Sequence, residues 1–245
     1  MTKLFDLCIV IPCYNEEKRF NRERMCDFLK LQQNVLLCFV NDGSSDQTFE
    51  ILNSLKSTYP KNIEAISIKN NVGKAEAVRT GILHCNKHFK HKKIAYLDAD
   101  LATTLEECYE ISELVKDETV FAFGSRIEKI DNNIQRKVHR FYIGRIIATF
   151  ISRQLKLNVY DTQCGCKIIN SKLSEQLFSE KFISKWLFDV EIFHRMIKIY
   201  GRNKIAEICK EIPLKSWIDY DESKVKMTYF FKLWLDLYKI KKAYS

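Results

Sequence analysis

Asp98 and Asp100 stand one residue apart, with Ala99 between them, at the end of the apolar run Ile94-Ala95-Tyr96-Leu97. In an extended strand residues i and i+2 point to the same side, so the two carboxylates face a common space. Their mutual repulsion is tolerable only beside something positive. A hard divalent cation with oxygen ligands, Mg2+ or Mn2+, meets that need. A metal-holding pair at the C-terminal end of a strand points to a site that grips a diphosphate.

Other residues with chemical potential recur at similar places. Asp42-Gly43-Ser44-Ser45-Asp46 follows an apolar segment and precedes a helical pattern. Asp42 can accept hydrogen bonds from a base or ribose, and the helix N-terminus behind it favours phosphate. The same residues also read as a turn with an N-cap at Ser45 or Asp46. Pro12 fixes a turn after the run Leu7–Ile11, and Tyr14 can pack on a base; Glu16 and Glu17 read equally well as acids of a first helical turn. Asn71-Val72-Gly73-Lys74 places a turn and a cation near the same edge, without the spacing of a Walker loop. Arg126 ends a further apolar segment. Arg140 and Arg145 lie among Phe141, Ile143, Ile146, Ile147, Phe150 and Ile151. That mixture suits a substrate with a phosphate head and a hydrocarbon tail, or else an ordinary surface helix. Cys164-Gly165-Cys166 lacks the second pair a metal site needs. His84 and His88 have i, i+4 spacing but no obvious carboxylate, and read as a basic helix end.

The elements that would position these residues alternate cleanly in the first half. Strands are expected at Leu7–Ile11, Val35–Val40, Ile63–Ile68, Ile94–Leu97 and Thr119–Phe123. Between them lie helical patterns around Arg19–Leu31, from Phe49 to Leu55, from Ala75 to Cys85, and from Thr104 to Val115. Nearly continuous apolar strands alternating with helices predict an α/β fold: a mostly parallel sheet with helices on both faces. Ligands of such sheets bind beyond the carboxyl ends of the strands. Asp42, the Asp98/Asp100 pair and Arg126 all fall there.

The second half changes character. An amphipathic helix is expected over 134–157, a polar turn and short strand over Asp161–Ile169, a helix over Phe188–Tyr200 and a strand over Ile205–Pro213. Lys224–Tyr244 mixes Tyr229, Phe230, Phe231, Trp234 and Tyr238 with Lys224, Lys226, Lys232, Lys239, Lys241 and Lys242. Aromatic anchors with basic flanks suit a helix lying in a membrane interface, over 228–244.

Composition narrows the partners. The chain has 245 residues and is 46% hydrophobic, enough for one large domain with a buried core. A net charge of +9 favours an anionic partner: nucleic acid, a membrane surface or a phosphorylated substrate. Nine cysteines, an odd and irregularly spaced set without a secretory signal, read as reduced thiols in the cytoplasm. No run of about 18 apolar residues exists, so any membrane contact is expected to be peripheral.

Together the segments IPCYNEE, VNDGSSDQT, NNVGKAEAVRTGI, YLDAD and FGSR, in that order, resemble the family 2 glycosyltransferases. DTQCGCK (161–167) and WLFDVEIF (186–193) look like the dolichyl-phosphate glucosyltransferase branch, which includes bacterial polyprenyl-phosphate enzymes. The resemblance implies a single GT-A-type domain binding a nucleotide diphosphosugar. It divides the chain into a catalytic region, 1–227, with a nucleotide-sugar half (1–126) and an acceptor half (127–227), and a basic aromatic helix, 228–245. It implies that Asp42 holds the uracil or ribose beside Pro12, Tyr14, Glu16, Gly73 and Lys74. Asp98 and Asp100 would engage nucleotide and metal, and Arg126 and Arg140 the donor and acceptor phosphates. Asp161, Gln163, Lys167 and Arg145 would shape the acceptor side, with Trp186, Asp189 and Glu191 on the far wall.

The implied reaction moves a hexose, glucose by the branch resemblance, from a UDP-sugar to a polyprenyl phosphate with inversion, at the cytoplasmic face of a membrane. A hydroxyl acceptor would instead require a base, for which Asp189 or Asp161 is available. A third reading, a non-catalytic basic module on membrane or nucleic acid, explains the charge but not the ordered carboxylate motifs; nucleic acid is not expected as a partner. Nothing in the sequence sets an oligomeric state.

Overall fold

The computed structural model describes residues 3–218 and 229–244, with the backbone alone for 229–231. The first half alternates strand and helix: β1 (Leu4–Cys13), α1 (Arg22–Leu31), β2 (Val35–Asp42), α2 (Thr48–Thr58), β3 (Ile63–Ile68), α3 (Lys74–His88), β4 (Lys90–Leu97), α4 (Leu105–Ser112) and β5 (Phe121–Ser125). The second half adds β6 (Asn133–Gln135), α5 (Val138–Leu155), β7 (Cys166–Asn170), α6 (Ser171–Leu177), α7 (Phe188–Tyr200), α8 (Arg202–Ile208), β8 (Cys209–Pro213), β9 (Ser216–Ile218) and α9 (Tyr229–Tyr244).

Seven strands form one sheet in the order β3-β2-β1-β4-β7-β5-β8. All run parallel except β7, which pairs antiparallel with both β4 and β5. Alternation along β1 sends Leu7, Ile9 and Ile11 into one apolar layer and Cys8 and Val10 into the other. The first layer packs on α1, α2 and α4; the second packs on α3 and α5 to α9. Burial on both faces explains the unbroken apolar run of β2, whose eight residues are all buried. Chain connection reverses at β1, which has β2 on one side and β4 on the other, so a crevice opens beyond their carboxyl ends.

Three elements differ from the sequence expectation. The run Ile205–Pro213 splits into α8 and β8, because Gly201 (φ +79°) ends α7 and Ile205 and Ile208, at helical spacing, turn inward. The expected helix over 134–157 begins as a short strand, β6, paired with β9, and turns helical only at Val138. Ser45 and Asp46 do not cap α2 as expected; Asp46 instead accepts from the Thr48 amide (3.1 Å) inside the turn. All nine cysteines are free thiols and seven are buried.

No helix among the described residues is long and apolar enough to cross a membrane. The expected interfacial helix is in part a core element. Leu233, Leu237 and Ile240 of α9 join the buried layer, and Asp236 accepts from Ser184 Oγ at 2.8 Å. Its other face exposes Trp234, Leu235 and Tyr238. Lys224 and Lys226 lie outside the described residues.

Candidate active site

A cleft of about 600 Å3 opens over the carboxyl ends of β1, β2, β4 and β5. Pro12, Tyr14, Glu16, Asp42, Gly73, Lys74, Asp98, Ala99, Asp100, Arg126, Arg140, Gln163, Trp186 and Asp189, all expected from sequence, line it. Two turns build its floor. Asn15 Oδ1 accepts from the Ser45 amide (2.9 Å), and the Glu16 amide donates to Thr48 Oγ1 (2.8 Å), which ties the turn after β1 to the turn after β2. Gly43 (φ +66°) lets the second turn lie against Asn70 and Asn71; a Cβ there would come within 2.6 Å of the Asn71 amide nitrogen.

Asp42 is buried and already has partners. Its carboxylate accepts from the amides of Val72 (2.8 Å) and Gly73 (2.9 Å) and from Asn71 Nδ2 (3.1 Å). It therefore shapes the turn that starts α3. Burial raises its pKa, against the two amides and nearby Lys185, which hold the charged form.

Asp98 is wedged. Its amide donates to the Gly165 carbonyl (3.1 Å), and a Cβ on Gly165 would sit 1.9 Å from its Oδ2. Its Oδ1 contacts Lys74 Nζ at 2.5 Å. Asp100 turns back, with Oδ1 accepting from the Ala102 amide (3.0 Å) across Leu101 (φ +50°). Burial first, and the charge of Asp98 second, push the Asp100 pKa up. Burial works against the Lys74 ammonium, but Asp98 and Asp189 outweigh it and raise its pKa.

Behind this wall lies a buried polar network. Lys167 is 0% exposed; its Nζ contacts Asp189 Oδ1 (2.6 Å) and donates to the Cys164 carbonyl (2.5 Å). The Tyr96 hydroxyl also donates to Asp189 Oδ1. Lys167 thus lies beneath the cleft rather than in it, as the counter-charge of Asp189. Asp161 is likewise committed. It receives a bidentate grip from Arg126 (2.6 and 2.8 Å) and the Arg126 amide (3.1 Å). The guanidinium overcomes the burial penalty and holds this carboxyl far below the usual range, which removes it as a proton acceptor. Glu211 accepts from the amides of Tyr160 (2.9 Å) and Asp161 (2.7 Å) and fixes the pair.

Two further expectations move. Arg145 is not among the cleft-lining residues; it donates to the Tyr160 carbonyl (2.8 Å) and stacks on the Tyr160 ring at 3.5 Å. Glu191 lies below the wall and accepts from the amides of Ile183 and Ser184 (both 2.9 Å), the turn that delivers Lys185 and Trp186 to the cleft. Sequence reasoning also missed lining residues. Asn71 reads from sequence only as part of a turn. Lys185 and Trp217 come from a loop and from β9, where no periodicity marks them; Arg136 lies in the link between β6 and α5. The guanidiniums of Arg126 and Arg136 lie 5.2 and 6.0 Å from the Trp217 ring.

The described residues contain no group of three or more His, Cys, Asp or Glu side chains able to hold a metal. Burial pushes the Cys164 thiol up to about 12, so it is inert. His84 does have a carboxylate neighbour, Glu64 at 3.8 Å.

The glycosyl transferase family 2 model matches residues 8–178. A dolichyl-phosphate beta-glucosyltransferase of Trichomonas vaginalis is 30% identical, over 96% of this chain and 72% of the relative. The enzyme of that description from Saccharomyces cerevisiae is also 30% identical, over 97% and 75%. Among solved structures, glucosyl-3-phosphoglycerate synthase from Mycobacterium tuberculosis, in complex with Mn2+, UDP-glucose and phosphoglyceric acid, superposes with a TM-score of 0.69. It covers 97% of this chain and 80% of that one, at 13% identity, a likeness of fold.

Proposed function

This chain belongs to glycosyl transferase family 2, and from that premise we propose that it moves glucose from UDP-glucose to a polyprenyl phosphate, of the dolichyl or undecaprenyl type, with inversion at the anomeric carbon. One observation carries the reading: two cationic sets line the same cleft. One is Lys74 at the N-terminus of α3, beside Asp98 and Asp100; the other is Arg126, Arg136 and Arg140. The second set runs onto α5, whose Tyr142, Ile143, Ile146 and Phe150 are exposed. A phosphate head among the arginines, with a hydrocarbon tail leaving along α5, fits that layout.

Uracil and ribose lie against Pro12, Tyr14 and Asp42. Asp98 and Asp100 would hold Mg2+ or Mn2+, since two carboxylates at one strand end are a hard-oxygen set that suits such an ion. An ion held there would supply positive charge against that building on the leaving diphosphate. Lys74, at the positive end of α3, takes the same anionic group. Arg140, with the Nη1 that Arg126 keeps free of Asp161, orients the acceptor phosphate, which is already anionic at neutral pH because its second ionisation falls near about pH 6.

The acceptor then needs placement rather than deprotonation. The alternative, a sugar or protein hydroxyl acceptor, needs a base. Asp161 is locked to Arg126 and Asp189 to Lys167 and Tyr96, so either would have to abandon its partners. The reading also places the protein peripherally at the cytoplasmic face of a membrane. Phe150 of α5 meets Trp234 of α9 (centroids 4.8 Å apart), which joins the exposed apolar faces of both helices beside a lysine-rich end.

Purified protein with Mg2+ or Mn2+ should release UDP from UDP-glucose only when a polyprenyl phosphate is added. Release with a soluble hydroxyl acceptor and none with the lipid would sink the reading. Asp100→Asn should abolish turnover, and retained activity would remove the metal role.

A further inference from the structure

The salt bridge between Lys74 and Asp98 occupies an oxygen that the proposed metal would use. Lys74 Nζ lies 2.5 Å from Asp98 Oδ1, at one end of a carboxylate pair that points into the cleft. Asp98 is anchored through its main chain at the end of β4. Its backbone amide is bonded to the Gly165 carbonyl, and its Oδ2 lies over the space that Gly165 leaves open, where a Cβ would sit 1.9 Å from it. Lys74 can move: it is a four-carbon stem, 19% exposed, at the cleft surface.

Lys74 also sits at the unfavourable end of a helix. It is the first residue of α3, where the backbone amides already favour a negative partner. Asp98 on one side and Asp189 on the other supply that charge in the free protein. A diphosphate arriving at the α3 N-terminus would meet the positive end of the helix and the ammonium at once.

We infer that Lys74 is a placeholder cation: it fills the Asp98 position until the donor diphosphate draws it off, so that a divalent ion enters together with the nucleotide rather than before it. This deepens the proposed function and rests on its assignment of Asp98 and Asp100 to a metal. The charge balance works in the same sense. Two ionised carboxylates and one ammonium leave a single negative charge for a free dication; the diphosphate adds charge and removes the competing ammonium. Metal and nucleotide are then coupled, and each strengthens the other by the same factor.

The test reads metal binding, not turnover. Free Mn2+ is followed by electron paramagnetic resonance during titration of the native protein and of Lys74→Gln, with and without UDP. Native protein should bind Mn2+ about tenfold or more weakly without UDP than with it. Lys74→Gln should bind Mn2+ alone about tenfold more tightly than native, and its gain from UDP should shrink. Lys74→Arg, which keeps the charge, should behave like native. Thermal melting checks each fold, and Lys74→Met, which keeps the apolar stem, is the second neutral variant. Neutral variants with unchanged Mn2+ affinity in the absence of UDP would overturn the placeholder role, while UDP-dependent binding in native protein would leave the metal assignment standing. Native protein that takes up no Mn2+ even with UDP would overturn both.

Discussion

Replacing Gly165 with Ala should disable the cleft while leaving the rest of the fold in place. The backbone there is not in the left-handed region, so the added methyl is the whole perturbation. Its Cβ would stand 1.9 Å from Asp98 Oδ2, 2.3 Å from Cγ and 2.7 Å from Oδ1, whereas real Cβ contacts stay beyond 3.0 Å. The carboxylate must therefore retreat by about 1 Å or more, and a displacement of that size costs about 100-fold in rate when it moves a positioning group. That retreat breaks the contact of Oδ1 with Lys74. The remaining strain should appear as about 1–3 kcal/mol of lost stability. UDP release is measured beside far-ultraviolet circular dichroism and urea denaturation. A variant with native spectra and kcat/KM within about threefold of native would refute the assignment of Asp98 as a fixed ligand.

Other perturbations address separate parts of the account. Lys167→Met should cost about 3–5 kcal/mol in urea denaturation, because it leaves Asp189 buried without its counter-charge. Adding Asp189→Leu should recover part of that loss, and a purely additive double variant would argue against the pairing. Burial holds His91 and His194 at pKa values of about 4, below the ordinary 6.5. The unfolded chain then binds more protons than the native one between those values, so stability should fall as pH drops from about 6.5 to about 4, by on the order of 3 kcal/mol per histidine. His194→Gln should flatten the urea midpoint across that window, and an unchanged slope would contradict the assignment. Trp234→Ser with Leu235→Ser, at 37% and 61% exposure, should weaken sedimentation with anionic liposomes and leave the melting temperature within a few degrees; unchanged partition would confine α9 to a structural role.

Much of the nucleotide half could be read from sequence because its signals are local. Continuous apolar runs mark β2, β4 and β5 as buried strands, with Asp42, Asp98 and Arg126 at their carboxyl ends. Direction and partnership were not legible. Nothing in Cys166–Asn170 encodes that β7 runs opposite to its neighbours, since alternation is the same in either sense. Asp161 carried the right residue type for a base, but only the fold reveals Arg126 clamped on it. Lys167 looked like an acceptor contact because a lone lysine in a motif gives no hint that it is wholly buried. Trp217 escaped because β9 is three residues long and shows no periodicity. The mixed α9 helix was read for its aromatic and basic face, while Leu233, Leu237 and Ile240 place its other face in the core.

The central claim is that the cleft joins a donor diphosphate at Lys74 and the Asp98/Asp100 pair to an acceptor phosphate at Arg126 and Arg140. Mass spectrometry of the lipid extract, after incubating the protein with UDP-glucose, Mn2+ and a polyprenyl phosphate, tests it most directly. The account predicts a lipid carrying one phosphate and one hexose, absent from the Asp100→Asn reaction. Hexose recovered on a hydroxyl acceptor, or UDP released with the lipid unchanged, would contradict it.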